Sequence, residues 1–246
     1  LKAMFFTRAS PLIVFVPIIF LAAILSGTRG IWLAGLGTLS VVFSVLWLIK
    51  KQGVGERQNN IFKYISSYLA IFFLLFAVAY PIFASPQFLV SKSGSEMMGK
   101  RVKSIIDFGE TSNKQRIEIW KKSAVSIIKH PLLGVGIGNF PVVLGQDLAL
   151  AKAGSSAHNL YLNIAAEMGL PALIAALWFL WLLVKKIYRN FVAAKDSLEL
   201  VYFSAALLFI PWVLFYSLTD VAIFDERAFL LFASSVAIIF ARKENE

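Results

Sequence analysis

Cysteine is absent from all 246 residues. That excludes disulfides, zinc–thiolate sites and a thiol nucleophile, and it leaves the redox compartment open. Histidine occurs only twice and acids number 14 against 24 lysines and arginines. Two distant histidines and scattered acids make no metal-ligand constellation, so neither a metal nor a cofactor is expected. The glycines of residues 134–138 resemble a dinucleotide loop only superficially, because no strand–turn–helix unit surrounds them, and a re-entrant turn that closes the bundle is expected instead. No internal repeat is evident, and no cleavable signal peptide precedes the first apolar segment. The chain opens on Leu1 rather than methionine and reads as a portion of a longer protein.

What is abundant is apolar surface. The chain is 59% hydrophobic with 22 Phe, seven Tyr and six Trp, and its mean hydropathy is +0.75. Soluble domains hold about 45–50% apolar residues, and a soluble fold of this size would expose too much of the excess. The bilayer is the natural solvent. In a soluble protein a net charge of +10 would point to nucleic acid. Here the basic residues cluster between apolar segments, which points to topology signals and anionic partners, with no nucleic acid.

Six spans are expected against the roughly 20 residues that cross a bilayer: about 9–25, 31–49, 64–84, 159–184, 200–219 and a short one at 228–241. Four basic groups flank them: Lys2 and Arg8; Lys50, Lys51, Arg57 and Lys63; Lys185, Lys186, Arg189 and Lys195, expected in the connection after span four; and Arg242 with Lys243. An even span count puts all four on one side, so both termini are expected in the cytoplasm. The expected fold is all-α: residues 1–84 as three transmembrane helices, 85–158 as one long extracytoplasmic loop carrying short amphipathic helices, and 159–246 as three more spans. Within the loop, Asn113–Lys129 reads as amphipathic, with Ile117, Trp120, Ala124, Ile127 and Ile128 on one stripe.

Candidate chemistry gathers on the loop side. Arg29 opens span two after a Ser26–Gly30 turn in which Ser26 or Thr28 can cap the helix. Helix N–H groups beside a guanidinium suit a diphosphate, although an interfacial arginine that snorkels to headgroups is the plainer alternative. Arg116 lies at the edge of the amphipathic stripe, either a second phosphate clamp or an ordinary flank. His158, followed by Asn159, stands where the loop meets span four. The helix dipole disfavours its imidazolium form there, which suits a general base; a helix cap is the alternative. His130, before Pro131 and the glycine-rich turn, reads as structural. Glu167 lies nine residues beyond His158, on the opposite face of a straight helix and roughly 13 Å deeper. It cannot orient His158 directly unless the helix breaks at Gly169-Leu170-Pro171, and it reads as a packing group that makes an interhelical hydrogen bond or ion pair. Asp220, Asp225 and Glu226 lie on the same side and can hold Arg29 or Arg116.

Taken in order, these motifs resemble the O-antigen ligase and polymerase family: Ser26-Gly27-Thr28-Arg29-Gly30, Arg116 four residues before Trp120, His130-Pro131-Leu132 leading to Gly134, Gly136, Asn139 and Phe140, then His158-Asn159-Leu160-Tyr161 with Glu167 and Gly169. The resemblance covers roughly Leu25 to Pro171. It implies a metal-independent, inverting glycosyltransferase of the bacterial inner membrane. The donor would be a lipid-linked oligosaccharide on undecaprenyl diphosphate, taken at the periplasmic face, and the acceptor a glycan, lipid or protein. Carried over by position, His158 is the base and Arg29 and Arg116 hold the diphosphate, with Asn159 and Glu167 in support. The family usually carries about ten to twelve spans, so the chain is expected to be a C-terminal portion. A transporter or channel subunit is the rival class, but the spans offer few polar residues to line a path, mainly Asn163 and Glu167.

Overall fold

The computed structural model describes residues 29–63, single positions between 66 and 74, and residues 111–146 and 155–242. The expected first span and most of the third lie outside the described residues. The described elements are α1 (Arg29–Gln52), α2 (Thr111–Lys129), a single turn α3 (Phe140–Val143), α4 (Leu160–Ala193), α5 (Ser197–Tyr216), a 3₁₀ turn (Ala222–Phe224) and α6 (Glu226–Ala241). None of the described residues is in a strand. Three helical segments are long and apolar enough to cross a membrane: Ala34–Gln52 of α1, all of α4 and all of α5. The chain is a membrane protein. α6 has 16 residues, about 24 Å of rise against a hydrocarbon layer of about 30 Å.

The spanning helices pack as lipid demands, with small residues at the closest crossing. α1 lies along α5, and it presents Ala34 and Thr38, both fully buried. A Cβ on Gly30 would run into Thr219 and the Tyr216 ring, and one on Gly37 into the Phe215 ring. The main core forms toward the other end of α1, where Val45, Ile49 and Phe62 meet Leu183, Ile187, Phe191, Leu200 and Phe232.

That end is also the basic end. Arg57 donates to the Lys195 carbonyl and, at 2.9 Å, to Ser197. Tyr188 donates to Gln52 at 3.0 Å. Arg242 bridges Glu199 at 3.0 Å and donates to the carbonyls of Asn190 and Ala193 at the end of α4. Lys51 lies over the Trp47 ring and Lys185 over Trp181, at 4.9 and 5.0 Å from the ring centres. Both tryptophans are exposed. Exposed Trp paired with Lys marks a membrane–water boundary, so one edge of the bilayer passes near residues 51 and 185.

Two expectations need correction. Lys185, Lys186 and Arg189 do not lie in a connection, since α4 continues through them to Ala193. Lysine and arginine are good helix formers, and a helix has no reason to stop at the bilayer edge. Only residues 194–196 join it to α5, which Asp196 caps by accepting from the Glu199 N–H at 2.8 Å. In α2 the packed face coincides with the apolar stripe only in part. Ser123 and Ser126 are buried, Ala124 is exposed, and Ile128 is 79% exposed. Ile127 of the stripe does pack, together with Ile119, against Phe140 and Ala166. Serine can be buried there because its hydroxyl bonds within the helix, as Ser123 does to the Ile119 carbonyl at 2.9 Å.

Candidate functional site

α4 is one helix with a break. Gly169 has φ 87 and ψ 172, and Pro171 has no N–H to give the Glu167 carbonyl. The loop between α2 and α3 repairs the ladder. The Val135 N–H donates to the Ala166 carbonyl at 3.0 Å, the Gly136 N–H to the Glu167 carbonyl at 2.9 Å, and the Leu170 N–H to the Pro131 carbonyl at 2.8 Å. Backbone meets backbone so closely that a Cβ on Gly169 would overlap the Leu132 carbonyl. One on Gly134, at φ 62, would overlap Ala166 and Glu167. The glycine-rich segment is thus a splice.

The splice positions Glu167, which is 8% exposed. Its carboxylate accepts from the Phe140 N–H at 3.0 Å and from the Asn163 amide at 3.1 Å. The Asn163 carbonyl oxygen accepts from the Ala157 N–H at 2.9 Å, and the Ala157 carbonyl accepts from the Trp120 indole at 2.9 Å. Glu167 therefore reaches the neighbour of His158 through Asn163, one helical turn at a time, rather than reaching His158 itself. Glu167→Ala leaves a buried N–H and an amide unpaired, each costing about 1–3 kcal/mol. A clear fall in thermal midpoint is the expected reading, and an unchanged midpoint would show these bonds to be idle.

His158 stands between two anchored residues. Asn159 caps α4 by accepting from the Leu162 N–H at 3.0 Å, while its amide donates to the Leu218 carbonyl at 3.0 Å. The Leu160 N–H donates to the Ser217 carbonyl at 2.8 Å. His158 is exposed, with φ 48, and no other described non-glycine residue has a positive φ. That left-handed conformation costs a side-chain-bearing residue about 1–2 kcal/mol, and such strain collects at functional sites.

The C-terminal turn of α5 gathers the rest. Tyr216 donates to Asp220 at 3.1 Å. Arg116 is half-buried, one turn before Trp120 on α2, and close enough to the Tyr216 hydroxyl to bear on it electrostatically. Gly30 packs on Tyr216 and Thr219, which places the head of α1 at the same turn. Arg29 is located by its backbone, as the first residue of α1; its side chain, and Ser26 and Thr28, lie outside the described residues. Of the expected acids, Asp220 is in this cluster. Asp225 instead caps α6, accepting from the N–H groups of Arg227 and Ala228.

One turn of α5 therefore holds Asn159, the residue after His158, and lies beside Arg116 and the backbone at the head of α1, all at the end of the bundle opposite Lys51 and Lys185. The described residues contain no group of three His, Asp or Glu side chains that could hold a metal. An exposed imidazole, a half-buried guanidinium and a phenol–carboxylate pair can bind an anion and accept a proton. Sequence reading missed Tyr216, although a tyrosine four residues before Asp220 at the end of a span carried the signal. It also missed the indole of Trp120 as the clamp on Ala157.

A family model described as O-antigen ligase matches residues 13–177, a stretch that includes all five candidate residues. No curated protein matches the chain. With a match over about two thirds of its length, the chain belongs to the O-antigen ligase family.

Proposed function

We propose that this protein moves a glycan from an undecaprenyl-diphosphate carrier to an acceptor hydroxyl, with His158 as general base and Arg29 and Arg116 holding the diphosphate. Its family is one of membrane glycosyltransferases of the O-antigen ligase or polymerase type. The observation that supports the finer reading is that Asn159, next to His158, bonds to the C-terminal turn of α5, on which the head of α1 also packs and whose Tyr216 lies near Arg116.

In the reaction, the acceptor oxygen attacks the anomeric carbon as the bond from that carbon to the diphosphate oxygen breaks, with inversion. The acceptor proton passes to the free ring nitrogen of His158. Negative charge grows on the departing diphosphate, where guanidinium groups stabilise it by bidentate hydrogen bonds. Asn159 and Glu167 support the base by fixing the backbone on either side of it. No metal is required if the arginines neutralise the leaving group.

The topology that goes with this reading is a polytopic bundle in a bacterial inner membrane. Residues 1–84 and 159–246 supply the spans, residues 85–158 form the connection on the periplasmic side, and both termini of the piece are cytoplasmic. The gathering of Arg57, Lys185 and Arg242 at the end away from His158 supports it.

The test is transfer by the full-length protein in vesicles, with a lipid-diphosphate-linked glycan as donor. Activity is expected to survive a metal chelator. Arg116→Lys is expected to weaken donor binding and slow transfer, because lysine lacks the planar fork. Chelator-sensitive transfer, or an Arg116→Lys enzyme equal to the parent, would count against the assignment.

A further inference from the structure

We infer that the splice loop, residues 131–137, is seated in the bilayer, with Leu132, Leu133 and Ile137 in contact with lipid acyl chains. The loop is fastened to α4 at residues 166–170 by the three backbone bonds already described. Its depth follows from α4 itself. The Trp181–Lys185 pair marks one edge of the membrane. From Lys185 back to Leu170 the helix rises only about 22 Å, against a hydrocarbon thickness of about 30 Å. Tilting the helix shortens that rise across the membrane, so the hydrocarbon extends past the break whatever the tilt. A loop fastened at the break lies inside the far edge of the layer.

The side chains suit that position. Leu133 is 83% exposed, and Leu132, Ile137 and the adjoining Ile128 of α2 are exposed to a similar degree. They continue the open apolar surface that α4 presents at Leu170 and Ile174. Irregular backbone at this depth draws on protein partners for its polar groups, and the loop finds them at Gly134, Val135 and Gly136. The Gly134 N–H donates to the His130 carbonyl at 3.1 Å, those of Val135 and Gly136 donate to α4, and the Asn139 amide closes on the Val135 carbonyl at 3.1 Å.

The inference stands apart from the proposed chemistry and would hold if no transfer were seen. Its test exploits a chain without cysteine. Single cysteines replace Leu133 or Ile137, with Ile174 as the lipid-facing reference and Lys121 as the aqueous one. Each variant of the full chain carries a nitroxide label in phospholipid vesicles. Collision rates with oxygen, which concentrates in lipid, are compared with those of a water-soluble nickel chelate. Labels at 133 and 137 are expected to prefer oxygen as the label at 174 does, while the label at 121 prefers nickel. A nickel preference at both loop positions would place the loop in water and overturn the inference. Poor access by either collider would show that protein, from this chain or a second copy, covers the loop, and would equally overturn it.

Discussion

His158→Ala is expected to leave the protein inserted and folded while lowering glycan transfer by about 10²–10⁴-fold, the usual contribution of a positioned general base. The result is interpretable because, among the described residues, the bonds that hold this stretch belong to the neighbours of His158 and not to its imidazole. The cap of α4 belongs to Asn159, and the chain before it is held at Ala157 by Trp120 and Asn163. One confounding effect is the left-handed backbone at φ 48, which a substitution could alter. His158→Gly and His158→Asn remove that ambiguity. Glycine adopts the conformation without cost and asparagine tolerates it, yet neither can serve as the base. Both should be as inactive as the alanine variant, and the glycine variant at least as stable as the parent. Substantial transfer by either would show that the conformation, not the imidazole, is what the reaction needs.

The largest effect on stability is expected from Gly169→Ala. At φ 87 and ψ 172 the backbone occupies a region that is essentially glycine's alone, costing any other residue about 1–3 kcal/mol. The added methyl would also overlap the Leu132 carbonyl, so the loop must retreat and release its bonds to α4. Gly145→Ala is the comparison. That glycine has φ 73 but nothing within 4 Å of its would-be Cβ, so only the conformational cost applies. Thermal unfolding in detergent should show a much larger drop for Gly169→Ala. Transfer should fall with it, because releasing the loop frees Phe140 from Glu167 and loosens the chain of contacts to Ala157. Equal midpoints for the two variants would mean that the splice is not tight.

These two residues show what could be read before the fold was seen. His158 stood out because a histidine between a polar loop and an apolar run has little packing to do. The possibility of a break at Gly169-Leu170-Pro171 was legible, since glycine and proline two residues apart interrupt any helix. What fills the break was not legible, because the filling segment lies far off in the chain and no local pattern links Gly136 to Glu167. The same applies to Tyr216, whose partner on α2 is a hundred residues earlier. The reading of α2 was right only in part, for a different reason. Helical periodicity counts Ile128 as apolar and Ser123 as polar, and so ranks the serine outside. It cannot register that a serine bonded to its own helix packs closely, or that an isoleucine facing lipid is as well placed as one facing protein.

The splice has a consequence for biogenesis. An ordinary membrane helix is complete once its own residues have been made, since its ladder is internal. α4 is not: until Val135, Gly136 and Pro131 arrive, two carbonyls and an N–H at its middle have no partner in a medium that offers none. The outer portion of this helix can therefore settle only after an older stretch of polypeptide has been delivered to the same depth. Its insertion is an act of assembly between two segments rather than the passage of one, and a slow or misplaced loop would leave the span half made.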